Sequence, residues 1–143
     1  MGAINLLIVD DEVRFLATYK KLLERRGIAT ATATNGLDAL KMLNQTLIDV
    51  VVLDVKMPGI DGIEALQKIK QEHPDVEVIL LTGHMSVESE VEGLKLGASG
   101  YLMKPISIDD LCLKVKDAFY KKQARVNRVD ETQTNPNAAI KQQ

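Results

Sequence analysis

The sequence contains a single cysteine, Cys112, which excludes an internal disulfide bond and is typical of proteins from a reducing compartment. It also lacks any apolar run that approaches the roughly 20 residues of a membrane-spanning helix. The apolar run at the N-terminus ends at Asp10, which is too early for a secretory signal peptide. These absences predict a cytoplasmic protein that does not associate with a membrane.

A strong excess of one charge is also absent, since 18 basic residues stand against 20 acidic ones and the net charge is -2. This balance gives no general attraction to nucleic acid, so we expect no direct nucleic acid binding by this chain. The 143 residues, of which 45% are hydrophobic, favour one globular domain with a sizeable core.

Short apolar runs alternate with amphipathic stretches along most of the chain. Four of the runs are almost continuously hydrophobic, which is typical of strands buried on both faces of a parallel sheet. A fifth run alternates alanine with threonine and is predicted to form an edge strand. The predicted strands are Ile4–Val9, Ile28–Ala33, Val50–Leu53, Val78–Leu81 and Gly100–Met103.

Each predicted strand is followed by a helical pattern with its own start or stop signal. Asn35, Asp61 and Ser107 are predicted to cap three helices, and Gly27 and Gly97 to end two others. Five β-α units in succession predict an α/β fold, a doubly wound five-stranded parallel sheet with five helices. The predicted helices cover residues 12–26, 36–44, 61 to just before Pro74, 86–96 and 107–122.

The pattern changes after the last predicted helix. Residues 123–143 are mostly polar, include Pro136 and have no apolar periodicity. We therefore expect a folded domain at 1–122 and a flexible polar tail at 123–143.

Reactive side chains stand where four of the predicted strands end. Because the carboxyl ends of parallel strands meet at one edge of an open α/β sheet, where such folds bind ligands, we expect these side chains to lie close together. Three acids, a hydroxyl and an ammonium at one edge predict a site for a divalent cation and a phosphoryl group. The residues are Asp10, Asp11, Asp54, Thr82 and Lys104.

The adjacent acids Asp10 and Asp11 have two interpretations. Their carboxylates repel each other, and Mg²⁺, which prefers hard oxygen ligands and often takes one or two carboxylates, would neutralise them. Alternatively, Asp11 and Glu12 only favour the N-terminus of the first helix. Asp54 at the same edge favours the metal site for Asp10 and Asp11, whereas Glu12 fits the helix-terminal role.

Asp54 precedes a turn at Pro58-Gly59 and could be an ordinary residue at the start of a loop. A carboxylate in this position can also bind a metal or attack phosphorus, as in aspartyl-phosphate enzymes. Thr82 could donate a hydrogen bond to a phosphoryl oxygen, and Lys104 could neutralise its charge. The Lys104–Pro105 bond is a candidate for the cis form. The combination of these residues favours a shared site for phosphoryl chemistry over four residues that follow their strands without a common role.

These motifs resemble the receiver domain of two-component response regulators, and in particular receivers of enhancer-binding transcription regulators. The resemblance covers residues 3–122. No ATPase or DNA-binding module follows in this sequence, so a stand-alone or isolated receiver is expected. The motifs that carry the resemblance are, in order, Leu-Ile-Val-Asp10-Asp11-Glu, Asp54-Val-Lys-Met-Pro58-Gly, Leu-Thr82-Gly-His and Tyr101-Leu-Met-Lys104-Pro105.

The resemblance implies a flavodoxin-like sheet with strand order 2-1-3-4-5 and a role for each motif. Asp54 would be the phospho-acceptor, and Thr82 and Lys104 would contact the phosphoryl oxygens. Thr82 and Tyr101 would form a conformational switch. The metal, Mg²⁺ with Mn²⁺ as the alternative, would be held by Asp10, Asp11, Asp54 and the backbone carbonyl of Lys56.

The resemblance also implies partners. The phosphoryl donor would be a sensor histidine kinase or a histidine phosphotransfer protein. Enzymatic activity would be limited to Mg²⁺-dependent phosphoryl transfer and autodephosphorylation. Phosphorylation would alter the face formed by helix 4, strand 5 and helix 5, residues 86–122, to control a partner or output domain or to form a homodimer.

Two other functions compete with this one. An aspartate-nucleophile phosphatase would also begin from an Asp after an apolar strand, but such enzymes use a second Asp two positions later, where this chain has Lys56. A receiver-like interaction module that is not phosphorylated usually lacks one of the acids or the lysine, and none is missing here.

Overall fold

The computed structural model describes residues 3–56, 61–83 and 87–134. Five parallel strands form a sheet in the order β2-β1-β3-β4-β5, which confirms the doubly wound class and the strand order that the resemblance implies. The elements are β1 (Asn5–Val9), α1 (Val13–Arg25), β2 (Ala29–Ala33), α2 (Gly36–Gln45), β3 (Val50–Asp54), α3 (Gly62–Glu72), β4 (Glu77–Thr82), α4 (Val87–Lys95), β5 (Gly100–Met103) and α5 (Ile108–Thr134).

Helices cover both faces of the sheet because alternate side chains of each buried strand point in opposite directions. One core joins β1, β3 and β4 to α1 and α5, through Leu6, Ile8, Val50, Val52, Ile79, Leu81, Leu16, Leu23, Leu111, Val115 and Phe119, with Cys112 buried among them as a small hydrophobe. The other joins the same strands to α2 and α3, through Leu7, Val9, Val51, Leu53, Val78, Leu80, Ala39, Leu43, Ala65, Leu66 and Ile69.

The predicted caps and stops form as expected. Asn35 Oδ1 accepts a hydrogen bond from the backbone N–H of Asp38 at 2.9 Å, and Asp61 Oδ1 accepts one from that of Glu64 at 2.8 Å. Gly27, after α1, has a φ of 83°, a left-handed conformation that a side chain disfavours. β2 lies at an edge of the sheet, as its alternating sequence predicts.

The predicted end of the last helix is wrong. α5 continues to Thr134, so residues 123–134 are helical rather than part of a flexible tail, while residues 135–143 lie outside the described residues. Two ion pairs anchor the chain around the start of this extension. Lys122 Nζ lies 2.6 Å from Asp49 Oδ1, and Arg125 Nη1 lies 2.5 Å from Glu77 Oε1, at the amino ends of β3 and β4. The helix predicted over residues 107–122 therefore ended too early to include Arg125 and its ion pair with Glu77.

Among the residues that the structure describes, no helix has both the length and the apolar character that crossing a membrane requires.

Candidate phosphoryl and metal site

The carboxyl ends of the strands bring the predicted site residues together. Asp10 follows β1, Asp54 ends β3, Thr82 ends β4, and Lys104 follows β5. One carboxylate oxygen from each of Asp10, Asp11 and Asp54 lies within 4.8 Å of the other two. Lys104 Nζ lies 2.6 Å from Asp10 Oδ2 and 3.9 Å from Asp54 Oδ2. Three acids and one ammonium therefore share a single edge of the sheet.

Asp10 is completely buried, whereas the neighbouring Asp11 is exposed. Asp10 Oδ1 accepts a hydrogen bond from the backbone N–H of Glu12 at 2.9 Å. Asp10 Oδ2 pairs with the Lys104 ammonium at 2.6 Å and has no other hydrogen-bond partner among the described residues. A buried carboxylate also supplies the hard oxygen ligand that a divalent cation prefers.

Asp54 is 5% exposed, and its Oδ1 accepts a hydrogen bond from the backbone N–H of Lys56 at 3.1 Å. Burial raises the pKa of the Asp54 carboxyl to about 6, and the negative charge of Asp10 adds to that effect. The Lys56 N–H and the Lys104 ammonium act in the opposite direction without cancelling it. The positive and hydrogen-bonding groups around Asp54 therefore compensate its negative charge only in part.

Lys104 makes contacts that the sequence did not indicate. Its ammonium lies 2.9 Å from Glu12 Oε1 and 4.5 Å from the centre of the Phe15 ring. Burial lowers the pKa of this ammonium, but its contacts with Asp10 and Glu12 outweigh burial and leave the pKa above its ordinary value. Glu12 is the N-cap residue of α1, as its helix-terminal interpretation predicts, but its side chain makes no cap hydrogen bond and also pairs with Lys104.

The backbone ties Lys104 to Thr82. The Lys104 N–H donates a hydrogen bond to the Thr82 carbonyl at 2.9 Å, and the Lys104–Pro105 peptide is cis, as expected. Thr82 is buried and is the register partner of Met103, the residue before Lys104. Tyr101, two residues earlier on β5, is 36% exposed. The two predicted switch residues thus lie on adjacent strands near the same edge.

Gly62 is a site residue that the sequence analysis missed. A Cβ atom here would lie 2.4 Å from the carbonyl oxygen of Asp54 and 2.4 Å from the Cα of Val55. The Gly62 N–H donates to the Val55 carbonyl at 2.8 Å. Glycine therefore lets the start of α3 close against the end of β3, which fixes the backbone that carries Asp54. Its position directly after the capping Asp61 was the available signal.

The donor set fits a divalent cation. Three carboxylates supply hard oxygen ligands, and their total negative charge exceeds the single positive charge of Lys104. Asp10, Asp11 and Asp54 could hold the ion directly, and the carbonyl of Lys56 stays a predicted further ligand. The Pro58-Gly59 turn and His84, the last residue of the Leu-Thr82-Gly-His motif, lie outside the described residues.

The chain also matches proteins of known family. The family model of the response regulator receiver domain matches residues 6–116. The chain is 36% identical over 129 residues to the transcriptional regulatory protein ZraR of Klebsiella oxytoca. The aligned region covers 90% of this chain but only 29% of that protein. The chain thus spans less than a third of the length of that relative.

Solved structures agree with the sequence match. A CheY-like response regulator receiver domain protein from Methanospirillum hungatei JF-1 superposes with a TM-score of 0.83 at 30% identity, over 87% of this chain and 99% of that one. NtrX from Brucella abortus, solved in complex with ADP, superposes with a TM-score of 0.84 at 30% identity, over 90% of this chain and 30% of that one.

Proposed function

This chain belongs to the response regulator receiver domain family of two-component signal transduction, and we propose that Asp54 is the residue that accepts the phosphoryl group. The observation that carries the proposal is the position of its carboxylate. Asp54 is buried, lies within 4.8 Å of two further carboxylates and has the Lys104 ammonium 3.9 Å away. The neighbouring groups therefore supply carboxylates that can hold a cation and an ammonium that can offset the charge of a phosphoryl group.

In the proposed reaction an Asp54 carboxylate oxygen attacks the phosphorus atom in line with the bond to the donor. The new bond is an acyl phosphate, and the bond to the donor breaks with its electron pair leaving on the donor atom. No general base is required, because a pKa of about 6 leaves most of the Asp54 carboxyl ionised at neutral pH. Water can later cleave the acyl phosphate and restore Asp54.

The other site residues offset charge on the transferred group. Lys104 neutralises a phosphoryl oxygen as a point charge, and the Thr82 hydroxyl donates a hydrogen bond to another. Asp10, Asp11, Asp54 and the backbone carbonyl of Lys56 would hold Mg²⁺ or Mn²⁺, which when bound neutralises the remaining phosphoryl charge. The protein thereby contributes positioning and electrostatics rather than proton transfer.

The donor that fits this chemistry is a phosphohistidine on a sensor histidine kinase or a histidine phosphotransfer protein, in the cytoplasm. The signal would leave through Thr82 and Tyr101, as the Thr82 hydroxyl moves toward the phosphoryl group and Tyr101 takes the space it vacates. The altered surface is the α4–β5–α5 face, residues 86–122. Its exposed apolar side chains, Leu94, Tyr101, Met103 and Leu113, together with charged Glu92, Lys114 and Lys116, suit a homodimer or an output domain.

Intact-mass measurement tests the proposal after incubation with acetyl phosphate and Mg²⁺. The wild-type protein should gain one phosphoryl group, and Asp54→Asn should gain none. Asp117→Asn, an exposed aspartate on α5, is the matched control and should label like wild type.

Three outcomes separate the competing functions. Full labelling of Asp54→Asn would contradict the assignment of the acceptor. Sustained release of phosphate over many turnovers from a small phosphate ester would favour the aspartate-nucleophile phosphatase. No labelling of the wild type by acetyl phosphate or by any sensor kinase would favour the interaction module.

A further inference from the structure

Two aromatic rings on α1 contact the segment that carries Lys104, although about 90 residues separate them in sequence. The Phe15 ring lies under the Lys104 ammonium, with Nζ 4.5 Å from the ring centre. The Tyr19 hydroxyl donates a hydrogen bond to the backbone carbonyl of Ile106, two residues beyond Lys104. One ring therefore contacts the head of the lysine side chain, and the other holds the main chain from which that side chain extends.

The two rings form one unit. Residues four apart share a helix face, and the rings of Phe15 and Tyr19 stack with their centres 4.4 Å apart and their planes 21° apart. Both are half-buried and pack on the core that includes Ile106 and Leu111. This packing restricts the movement of either ring, so the pair is a rigid support.

The side chain of Lys104 requires neighbouring groups to fix its orientation. Its ammonium is a point charge on a flexible four-carbon stem, so it does not orient itself as a guanidinium would. The acids around it attract it unequally, with Asp10 at 2.6 Å, Glu12 at 2.9 Å and Asp54 at 3.9 Å. Charge alone would thus draw the ammonium toward Asp10 and Glu12. The face of an aromatic ring attracts a cation from a further, fixed direction.

We propose that Phe15 and Tyr19 are positioning residues that hold the Lys104 ammonium and its backbone in the geometry for phosphoryl transfer to Asp54. The inference rests on the proposed function. Phe15 acts on the ammonium through the face of its ring, and Tyr19 acts on the loop through its hydroxyl. Neither residue touches the phosphoryl group, so each acts through Lys104.

The rate of phosphorylation by acetyl phosphate at saturating Mg²⁺, followed by intact mass, tests the inference. Because misplacing a charged group by about 1 Å can cost up to 100-fold in rate, Phe15→Leu should slow labelling by about tenfold. Phe15→Tyr keeps the ring face and should label within about twofold of wild type. Tyr19→Phe, which removes only the hydroxyl bonded to Ile106, should slow labelling by about threefold. Tyr120→Phe, an exposed tyrosine on α5, is the matched control and should have no effect.

A double-mutant comparison separates positioning from a general loss of structure. In a Lys104→Ala background, Phe15→Leu should slow the residual labelling by less than about twofold, because the group it positions is gone. An equal loss in both backgrounds, or a wild-type rate for Phe15→Leu, would overturn the proposal. The Kd for Mg²⁺ should be the same in Phe15→Leu and wild type, since the acids are untouched.

A second readout does not depend on phosphorylation. The ε-methylene group of Lys104 is bonded to the Nζ that lies 4.5 Å from the centre of the Phe15 ring. Its protons should therefore show an upfield NMR shift that Phe15→Leu removes and Phe15→Tyr retains. An unshifted Lys104 in the wild type would overturn the proposed contact. An unlabelled wild type that nevertheless shows the shift would instead overturn the proposed function, and with it the role in transfer.

Discussion

The two edges of the sheet both carry buried acids, but among the described residues only the buried acids of the amino edge each have a separate cation. There Lys122 pairs with Asp49 and Arg125 pairs with Glu77, while the backbone N–H of Asn5 donates to Asp49 at 2.9 Å. The Ser99 hydroxyl also donates a hydrogen bond to Glu77. At the carboxyl edge, Asp10, Asp54 and Glu12 share the ammonium of Lys104, and the carboxylate of Asp11 lies beside those of Asp10 and Asp54.

This difference distinguishes a structural cluster of charges from a binding site. A buried charge destabilises the fold unless it is paired and hydrogen-bonded. The amino edge meets that condition within the chain and anchors the extension of α5. The carboxyl edge does not meet it, and the raised pKa of Asp54 is one consequence. A bound divalent cation would neutralise the excess negative charge of the carboxylates there. Together with Lys104 it would also offset the charge of a phosphoryl group on Asp54.

Removing the lysine of the carboxyl edge should have the largest effect. Lys104→Ala should slow phosphorylation of Asp54 by acetyl phosphate by about 100-fold, because a preorganised positive charge on the transferred group is lost. Lys122→Ala removes the same side chain from the amino edge and should label at the wild-type rate. A Lys104→Ala rate within about threefold of wild type would contradict the role assigned to the ammonium.

Removing the lysine of the amino edge should instead reduce stability. Lys122→Ala leaves Asp49 buried without its cation and should lower the free energy of unfolding by about 3 kcal/mol, measured by urea denaturation. Lys121→Ala breaks an exposed pair with Asp117 on the same helix and should cost about 0.5 kcal/mol or less. Equal losses for these neighbouring lysines would show that the ion pair with Asp49 does not anchor α5.

The smallest expected effect is the contribution of Asp54 to the stability of the metal-free protein. Its folded-state pKa of about 6 lies above the ordinary value of 3.8, so the folded state binds the proton more tightly than the unfolded state does. Wild-type stability should therefore fall as pH rises between about 4 and 6 and stay lower above that range. Asp54→Asn has no charge to lose and should be more stable than wild type at pH 7.5 by about 1–2 kcal/mol, after allowance for solvent screening.

Thermal melts at pH 7.5 and below pH 4 test this sign. The advantage of Asp54→Asn should disappear at the lower pH, and saturating Mg²⁺ should reduce it at the higher pH. Asp117→Asn should show neither trend. An advantage that grows on acidification would mean that the pKa of Asp54 is lowered, not raised, in the folded protein.

The sequence predicted the carboxyl edge far better than the amino edge, and the reason is physical. The site residues are fixed by strand ends, and strand ends are readable because each buried strand is a short apolar run. The ion pairs of the amino edge join residues 73 and 48 positions apart, and no local spacing announces them. The same holds for Lys104 and Glu12, which are 92 positions apart. A polar helix such as residues 123–134 looks disordered until its buried partners are known.

The most direct test is a titration of the protein with Mg²⁺, followed residue by residue in backbone amide NMR spectra. The comparison of the two edges predicts saturable shifts at residues 10–12 and 54–56 and no shifts at Asn5, Asp49, Glu77 or Ser99. Asp11→Asn and Asp54→Asn should each weaken the binding, and Lys122→Ala should leave it unchanged. Shifts of equal size at both edges, or unchanged binding in Asp54→Asn, would contradict the claim that uncompensated charge makes the carboxyl edge the metal site.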